Sequence, residues 1–142
     1  MAKKSIEILA RAVIVRRGRI LLCRRKAADY LFLPGGHVEF GETVENALRR
    51  EIKEELGVRF FILSFMGVEQ EMYKRKGIMS HEINFVFLGR IAKTHVQSLE
   101  DEYEFQWVPL AEFSQRTVLP KLLVSHVARW LKNRKTFWAM SS

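Results

Sequence analysis

Three glutamates, Glu51, Glu54 and Glu55, stand at i, i+3 and i+4, so on a helix their carboxylates converge on one patch. At about 100° per residue, Glu51 and Glu55 each project within roughly 20° of the direction of Val44. Ala47 and Leu48 flank that direction and Glu54 lies just beyond Ala47, whereas Asn46, Arg49, Arg50 and Lys53 share the opposite, polar side. A solvated face paired with Arg49, Arg50 and Lys53 would put the acids among the polar residues. Two of them fall instead in the apolar arc, where an unpaired carboxylate is costly to desolvate and calls for a counter-charge. A divalent cation meets that need. Hard carboxylate oxygens suit Mg²⁺ or Mn²⁺, and Mg²⁺ keeps water and phosphate among its ligands. Upstream, Pro34 sets a turn, and Gly35 and Gly36 permit unusual φ and close approach to a ligand. Helix carboxylates facing such a turn make a place where a pyrophosphate can be chelated.

The elements that must position these groups are legible as patterns. Ile6 to Val15 and Ile20 to Arg24 are strand-like runs joined by Arg16-Arg17-Gly18-Arg19, which predicts a hairpin. Lys26 to Tyr30 is a loop and Leu31-Phe32-Leu33 a short strand ending at Pro34-Gly35-Gly36. Thr43 is the expected N-cap of a helix running to about Leu56, with Gly57 as the residue that ends it. Phe60 to Met72 reads as a strand broken near Gly67, Tyr73 to Ser80 as a turn or exposed loop, and His81 to Ile91 as a strand. The acidic stretch Thr94 to Glu104 predicts a loop, and Phe105 to Val108 a short strand ending at Pro109. From about Pro120 a second helix carries Leu119, Leu123, Val127, Trp130 and Leu131 on an apolar face fit to dock on a sheet. The sum is an α+β domain without repeats or linkers.

A length of 142 residues predicts one domain spanning 1–142 and permits a substantial core. The single cysteine, Cys23, excludes an internal disulfide and a cysteine-based metal cluster; in the run Ile20-Leu21-Leu22-Cys23 it reads as a small apolar residue. No stretch approaches the ~20 apolar residues needed to span a bilayer. The basic start Met1-Ala2-Lys3-Lys4-Ser5 leads into strand-like alternation, not a signal-peptide core, so a cytoplasmic protein without membrane partners is expected. The net charge of +8 favours polyanionic partners, a phosphorylated small molecule first and nucleic acid second.

The segment from Gly36 to Val58 also resembles the Nudix box, the signature of hydrolases acting on a nucleoside diphosphate linked to another group. Each defined position is filled: Gly36, Glu42, Arg50, Glu51, Ile52, Glu54, Glu55, Gly57 and Val58. The element order matches the fold of that family, a mixed sheet sandwiched between helices. The resemblance implies Glu51 and Glu55 as direct metal ligands, Glu54 as a helper for metal or water, and the Gly35 carbonyl as a further ligand. It implies that Arg50 orients a box carboxylate and that Glu42 supports the loop or an additional metal. The general base is either a box glutamate or an acid of a later loop; among Glu100, Asp101, Glu102 and Glu104, the candidates are Glu102 and Glu104. Gly36, His37, Tyr73 and His81 are the candidate substrate contacts, and Tyr30, Phe32, Tyr73 and Trp107 the aromatic residues able to stack a base.

A Mg²⁺- or Mn²⁺-dependent pyrophosphohydrolase of a nucleotide-type substrate is therefore expected, among them nucleotide sugars, ADP-ribose, nucleoside triphosphates and dinucleoside polyphosphates. Tyr73 points to the last of these, while Leu33 to Glu39 together with His81 to Asn84 resemble the group acting on ADP-ribose and nucleotide sugars. The alternatives are an RNA 5′ pyrophosphohydrolase, which the positive charge would help, and a catalytically silent nucleotide-binding regulator, against which the intact box argues. The resemblance allows a homodimer.

Overall fold

The computed structural model describes residues 4–141; residues 1–3, part of the basic start, lie outside the described residues. β1 (Ile6–Arg16) and β2 (Arg19–Arg25) form the expected hairpin, with Arg17 and Gly18 at φ of 51° and 75° in the turn. The two strands pair only at the turn end, Val15 with Ile20 and Arg16 with Arg19. Behind that point they part, and the chain between Leu31 and Pro34 enters the gap. Phe32 exchanges backbone hydrogen bonds with Cys23, and the Ala12 N–H donates to the Pro34 carbonyl. Leu31 and Phe32 thus make isolated bridges, and the ladder forms one step later as β3 (Gly35–His37), antiparallel to Leu9–Arg11 of β1. Gly35 has φ 138°, and a Cβ there would collide with the Ala10 carbonyl; glycine alone lets the turn press onto β1.

Helix α1 (Val44–Leu56) has the expected ends. The Thr43 Oγ1 accepts from the Asn46 N–H (3.1 Å), and Gly57 closes the helix at φ 67° with its N–H on the Lys53 carbonyl (2.8 Å). Leu48, Ile52 and Leu56 pack against Ala10, Ala12, Ile14 and Leu21, and Ala47 is buried beside them on the helix. This anchors the helix that carries the three glutamates.

β4 (Phe60–Arg75) and β5 (Ile78–Ile91) are longer than the sequence pattern suggests. Tyr73 to Ser80 is no exposed loop: the strands continue to a two-residue turn in which Lys76 and Gly77 both take positive φ, the geometry that a twisted hairpin favours. Nor is β4 broken at Gly67. Register shifts occur between Ile62 and Ser64 and between Phe65 and Gly67, and the glycine is needed because Phe137 crosses it: a Cβ would lie 2.5 Å from the Phe137 carbonyl oxygen. That Phe137 opens β7 (Phe137–Met140), a short edge strand parallel to β4. β6 (Tyr103–Pro109) starts two residues before the predicted strand, followed by the short α2 (Leu110–Phe113) and by α3 (Lys121–Asn133).

The strand order is β6-β2-β1-β5-β4-β7, with β3 on β1 and parallel pairs at β1–β5 and β4–β7. α1 covers one face of this mixed sheet. On the other, Leu123, Val127 and Trp130 of α3 and Phe113 of α2 pack on Val13, Leu22 and Val86. The α+β sandwich is that of the resemblance. Among the described residues no helix is long and apolar enough to cross a membrane.

Candidate active site

A cavity of about 1040 Å³ opens where the wedge between β1 and β2 meets α1 and the start of α3. Glu51 and Glu55 project into it from the helix, and Gly35, Gly36 and His37 from β3. The Gly36 backbone lies directly against Glu51: a Cβ there would sit 2.5 Å from Glu51 Oε2. Gly36→Ala must therefore push the carboxylate aside. The expected result is a loss of activity of roughly a hundredfold with the melting temperature little changed, since Glu51 is partly exposed and can yield. Steady-state kinetics with a thermal melt of the same sample checks it.

Glu55 lies deeper. Its Oε2 is buried without a hydrogen-bond partner among the described residues. Burial, then the Glu51 charge, pushes its carboxyl up to about 8. An unsatisfied, desolvated carboxylate beside a second one is the electrostatic signature of a cation site.

Arg50 clamps the remaining acids. It donates from Nε to Glu42 Oε2 (2.9 Å), from Nη2 to Glu42 Oε1 (2.6 Å) and to the His37 carbonyl (3.0 Å), and from Nη1 to Glu51 Oε1 (2.9 Å) and Glu54 Oε2 (3.3 Å). Its hydrogen bonds, with that from the Glu39 N–H, hold Glu42 down at about 2. Glu42 thus fastens the loop before α1 to the helix. Glu54 is exposed, tethered by Arg50 at the rim.

The other sequence candidates divide. His37 lines the cavity with its Nε2 3.4 Å from Glu7 Oε2. Tyr73 lines it too and donates to Glu82 Oε1 (2.9 Å). His81 is turned away, its Nε2 3.0 Å from Gln70 Nε2. Glu104 sits opposite Arg24 in the β2–β6 ladder and is ion-paired to it, and Glu102 is exposed off the cavity. It is Glu100 that reaches the cavity wall: the Leu99 N–H donates to the Glu55 carbonyl (2.8 Å) and so ties this loop to the end of α1. Of the aromatic candidates, Tyr30, Phe32 and Tyr73 face the cavity. Trp107 lies off the cavity, half-buried against the core cluster that α1 joins, and donates to the Thr94 carbonyl (2.9 Å). Cys23 is buried, its thiol pushed up to about 12 by burial.

Oxygen donors predominate here, as a hard divalent cation requires. Among the described residues no three His, Cys, Asp or Glu side chains form a complete cage. That fits Mg²⁺, which takes few protein ligands and fills its shell with water and phosphate. Glu51, Glu55 and Gly35 all line this cavity.

A mixed sheet between helices, with paired glutamates facing a diglycine turn, defines one class of protein, and comparison with known proteins agrees. The NUDIX domain family model matches residues 7–132, and the chain belongs to this family. It is 36% identical over 117 residues to an ADP-ribose pyrophosphatase of Methanocaldococcus jannaschii, covering 80% of this chain and 64% of that protein. It is 37% identical over 79 residues to an 8-oxo-dGTP diphosphatase of Haemophilus influenzae, covering 53% of each. The crystal structure of a MutT NUDIX hydrolase from Burkholderia pseudomallei superposes with a TM-score of 0.72 at 29% identity, covering 85% of this chain and 96% of that one. The chain thus spans less than two thirds of these two curated relatives' own lengths.

Proposed function

We propose that the protein is a Mg²⁺-dependent pyrophosphohydrolase of a nucleotide-linked substrate, working in the cytoplasm. The observation that carries this reading is the buried, unpartnered Glu55 Oε2 next to Glu51 at the Gly36 turn, inside a cavity large enough for a nucleotide. Names of relatives, an ADP-ribose pyrophosphatase and an 8-oxo-dGTP diphosphatase, support the same substrate class. When bound, the divalent cation supplies charge neutralisation for the pyrophosphate and acidifies a water. The chain does the rest. Glu51, Glu55 and the Gly35 carbonyl hold the cation, with Glu54 at the rim. Arg50 fixes the acids in register; Gly36, His37 and Tyr73 form part of the substrate's wall.

Our candidate for accepting the water's proton is Glu100, the loop acid on the cavity wall, in preference to Glu102 and Glu104. Glu100→Gln is expected to lower kcat roughly a hundredfold, whereas Glu102→Gln and Glu104→Gln leave it within about threefold. Full kcat in Glu100→Gln would return the base to a box glutamate.

The test of the function is a hydrolysis panel on purified protein with and without Mg²⁺. It spans nucleoside triphosphates, oxidised nucleotides, ADP-ribose, nucleotide sugars, dinucleoside polyphosphates and capped or triphosphorylated RNA. Metal-dependent cleavage of one class is the expected result. Silence across the panel from folded, metal-bound protein favours the nucleotide-binding regulator instead. One observation favours the RNA arm: the exposed cations Arg25, Lys74, Arg75 and Lys121 line the cavity, so turnover of triphosphorylated RNA, if found, should fall steeply with salt.

A further inference from the structure

We propose that Arg11 is a phosphate-holding residue of this cavity, set in place by a buried relay through Asn84 and Glu69; the inference rests on the pyrophosphohydrolase reading above. Arg11 stands on β1 directly opposite Gly35 and lines the cavity together with Glu51 and Glu55. Its Nε donates to Asn84 Oδ1 (3.2 Å) and its Nη1 to the Leu33 carbonyl (3.1 Å), and its guanidinium carbon lies 5.8 Å from the Phe32 ring centroid. Those contacts use one face and two donors. Nη2 has no protein partner among the described residues, and no carboxylate is ion-paired with Arg11 there. The charges of Glu82, Glu55 and Glu51 act on it from beyond ion-pair distance, so the partly desolvated guanidinium keeps a free edge that an anion can complete.

The relay behind it explains two otherwise odd core residues. Asn84 and Glu69 are cross-strand partners on β5 and β4, only 1% and 0% exposed. Asn84 Nδ2 donates to Glu69 Oε1 (2.9 Å), and that bond fixes the amide so that its Oδ1 faces Arg11. A neutral amide between cation and acid lets Arg11 be aimed without being neutralised. Had an acid stood at position 84, it would have paired with Arg11 and left nothing for a ligand. Apolar residues at 69 and 84 would fill the core as well; what they would not do is aim a cation into the cavity. The ligand that suits a fixed guanidinium edge beside a chelated pyrophosphate is a phosphate oxygen of that same group.

Three variants test this: Arg11→Met, Arg11→Lys and the double exchange Glu69→Gln with Asn84→Asp. The last moves the carboxylate one step along the relay, next to Arg11, and keeps every side chain's size. Two quantities are read on each: KM and kcat for the best substrate of the panel, and calorimetric affinity for imidodiphosphate with Mg²⁺. Arg11→Met should raise KM and weaken imidodiphosphate roughly 10- to 100-fold, with kcat within about threefold. Arg11→Lys should recover only part, since a point charge cannot reproduce the fork. The double exchange should stay folded and still lose roughly tenfold in imidodiphosphate affinity, a loss that a purely structural role for Arg11 does not produce. Wild-type affinity in Arg11→Met overturns the proposal; so does wild-type affinity in the double exchange, which also decides the matter if Arg11→Met does not fold. The two readings fail separately. Arg11-dependent imidodiphosphate binding without any hydrolysis sinks the enzyme and keeps this site, whereas metal-dependent hydrolysis indifferent to Arg11 does the reverse.

Discussion

Glu55→Gln is expected to cut turnover by about three orders of magnitude, equivalent to about 4 kcal/mol of transition-state stabilisation. The change keeps the shape of the side chain and removes one of the two charges that face the diglycine turn. The same variant should make the metal-free protein more stable, and the sign follows from the site. Burial and the neighbouring Glu51 raise the Glu55 carboxyl from an ordinary 4.5 to about 8. An acid raised in the folded state costs nothing while it is protonated, below about pH 4.5. It then lowers stability progressively as pH rises through about 8, by an amount on the order of a few kcal/mol. Urea denaturation in EDTA at pH 5 and pH 8 should show the wild type weakening more than Glu55→Gln, which keeps only the loss due to the buried Glu69 carboxyl, itself pushed up to about 7. Added Mg²⁺ should reverse the order, stabilising the wild type and leaving the variant indifferent. A variant with most of its activity, or one no more stable without metal at pH 8, would show that Glu55 is not the site of the cation.

What was legible in the sequence is what is local. Thr43, the Ala47-Leu48-Ile52-Leu56 face and Gly57 specify α1 within fifteen residues, and the placement of Glu51 and Glu55 at the edge of that face follows from helical geometry alone. The spacing of Gly36 from Glu51 gave the site a second wall, which the 2.5 Å approach explains physically. What was not legible depends on strands meeting far along the chain. Arg11 becomes a site residue only because β1 lies beside β3 and β5, and Glu69 and Asn84 look like alternation noise until the β4–β5 register brings them together. The acidic loop offered four acids, and Glu100 is the one that lines the cavity, beside the backbone bond from Leu99 to Glu55 that no sequence pattern announces. Trp107 carries the same aromatic cue as Tyr30 yet leans, half-buried, on the core cluster that includes α1, because strand parity at β6 turns it away from the cavity. Lys76-Gly77 held a signal for the tight turn that the surrounding basic residues masked; β7, at four residues on an edge, had none.

Arg50→Met should lower kcat/KM at least roughly a hundredfold, although Arg50 touches neither cation nor cavity floor in the proposed arrangement. Its guanidinium donates five hydrogen bonds, to three carboxylates and a carbonyl of the turn. Removing it leaves Glu42, Glu51 and Glu54 with like charges at close quarters, and frees both the loop carrying Glu42 and the carbonyl of His37. Glu51 then loses the bond that fixes its rotamer against Gly36, and misplacement of a ligand by about an ångström is enough for a loss of this size. Arg50→Lys should rescue little, because the bidentate grip on Glu42 needs the planar fork. The clasp also carries a pH dependence of the ordinary carboxylate sign. Glu42 is lowered in the folded state to about 2, so its stabilisation is complete above pH 4.5 and fades as pH falls towards 2. Acid denaturation of the wild type should therefore begin with loosening of the loop at Glu39 to Glu42, seen as faster amide exchange there, while Arg50→Met shows that exchange already at neutral pH. A hundredfold loss that Arg50→Lys fully restores would mean that charge alone, not the fork, holds the site together.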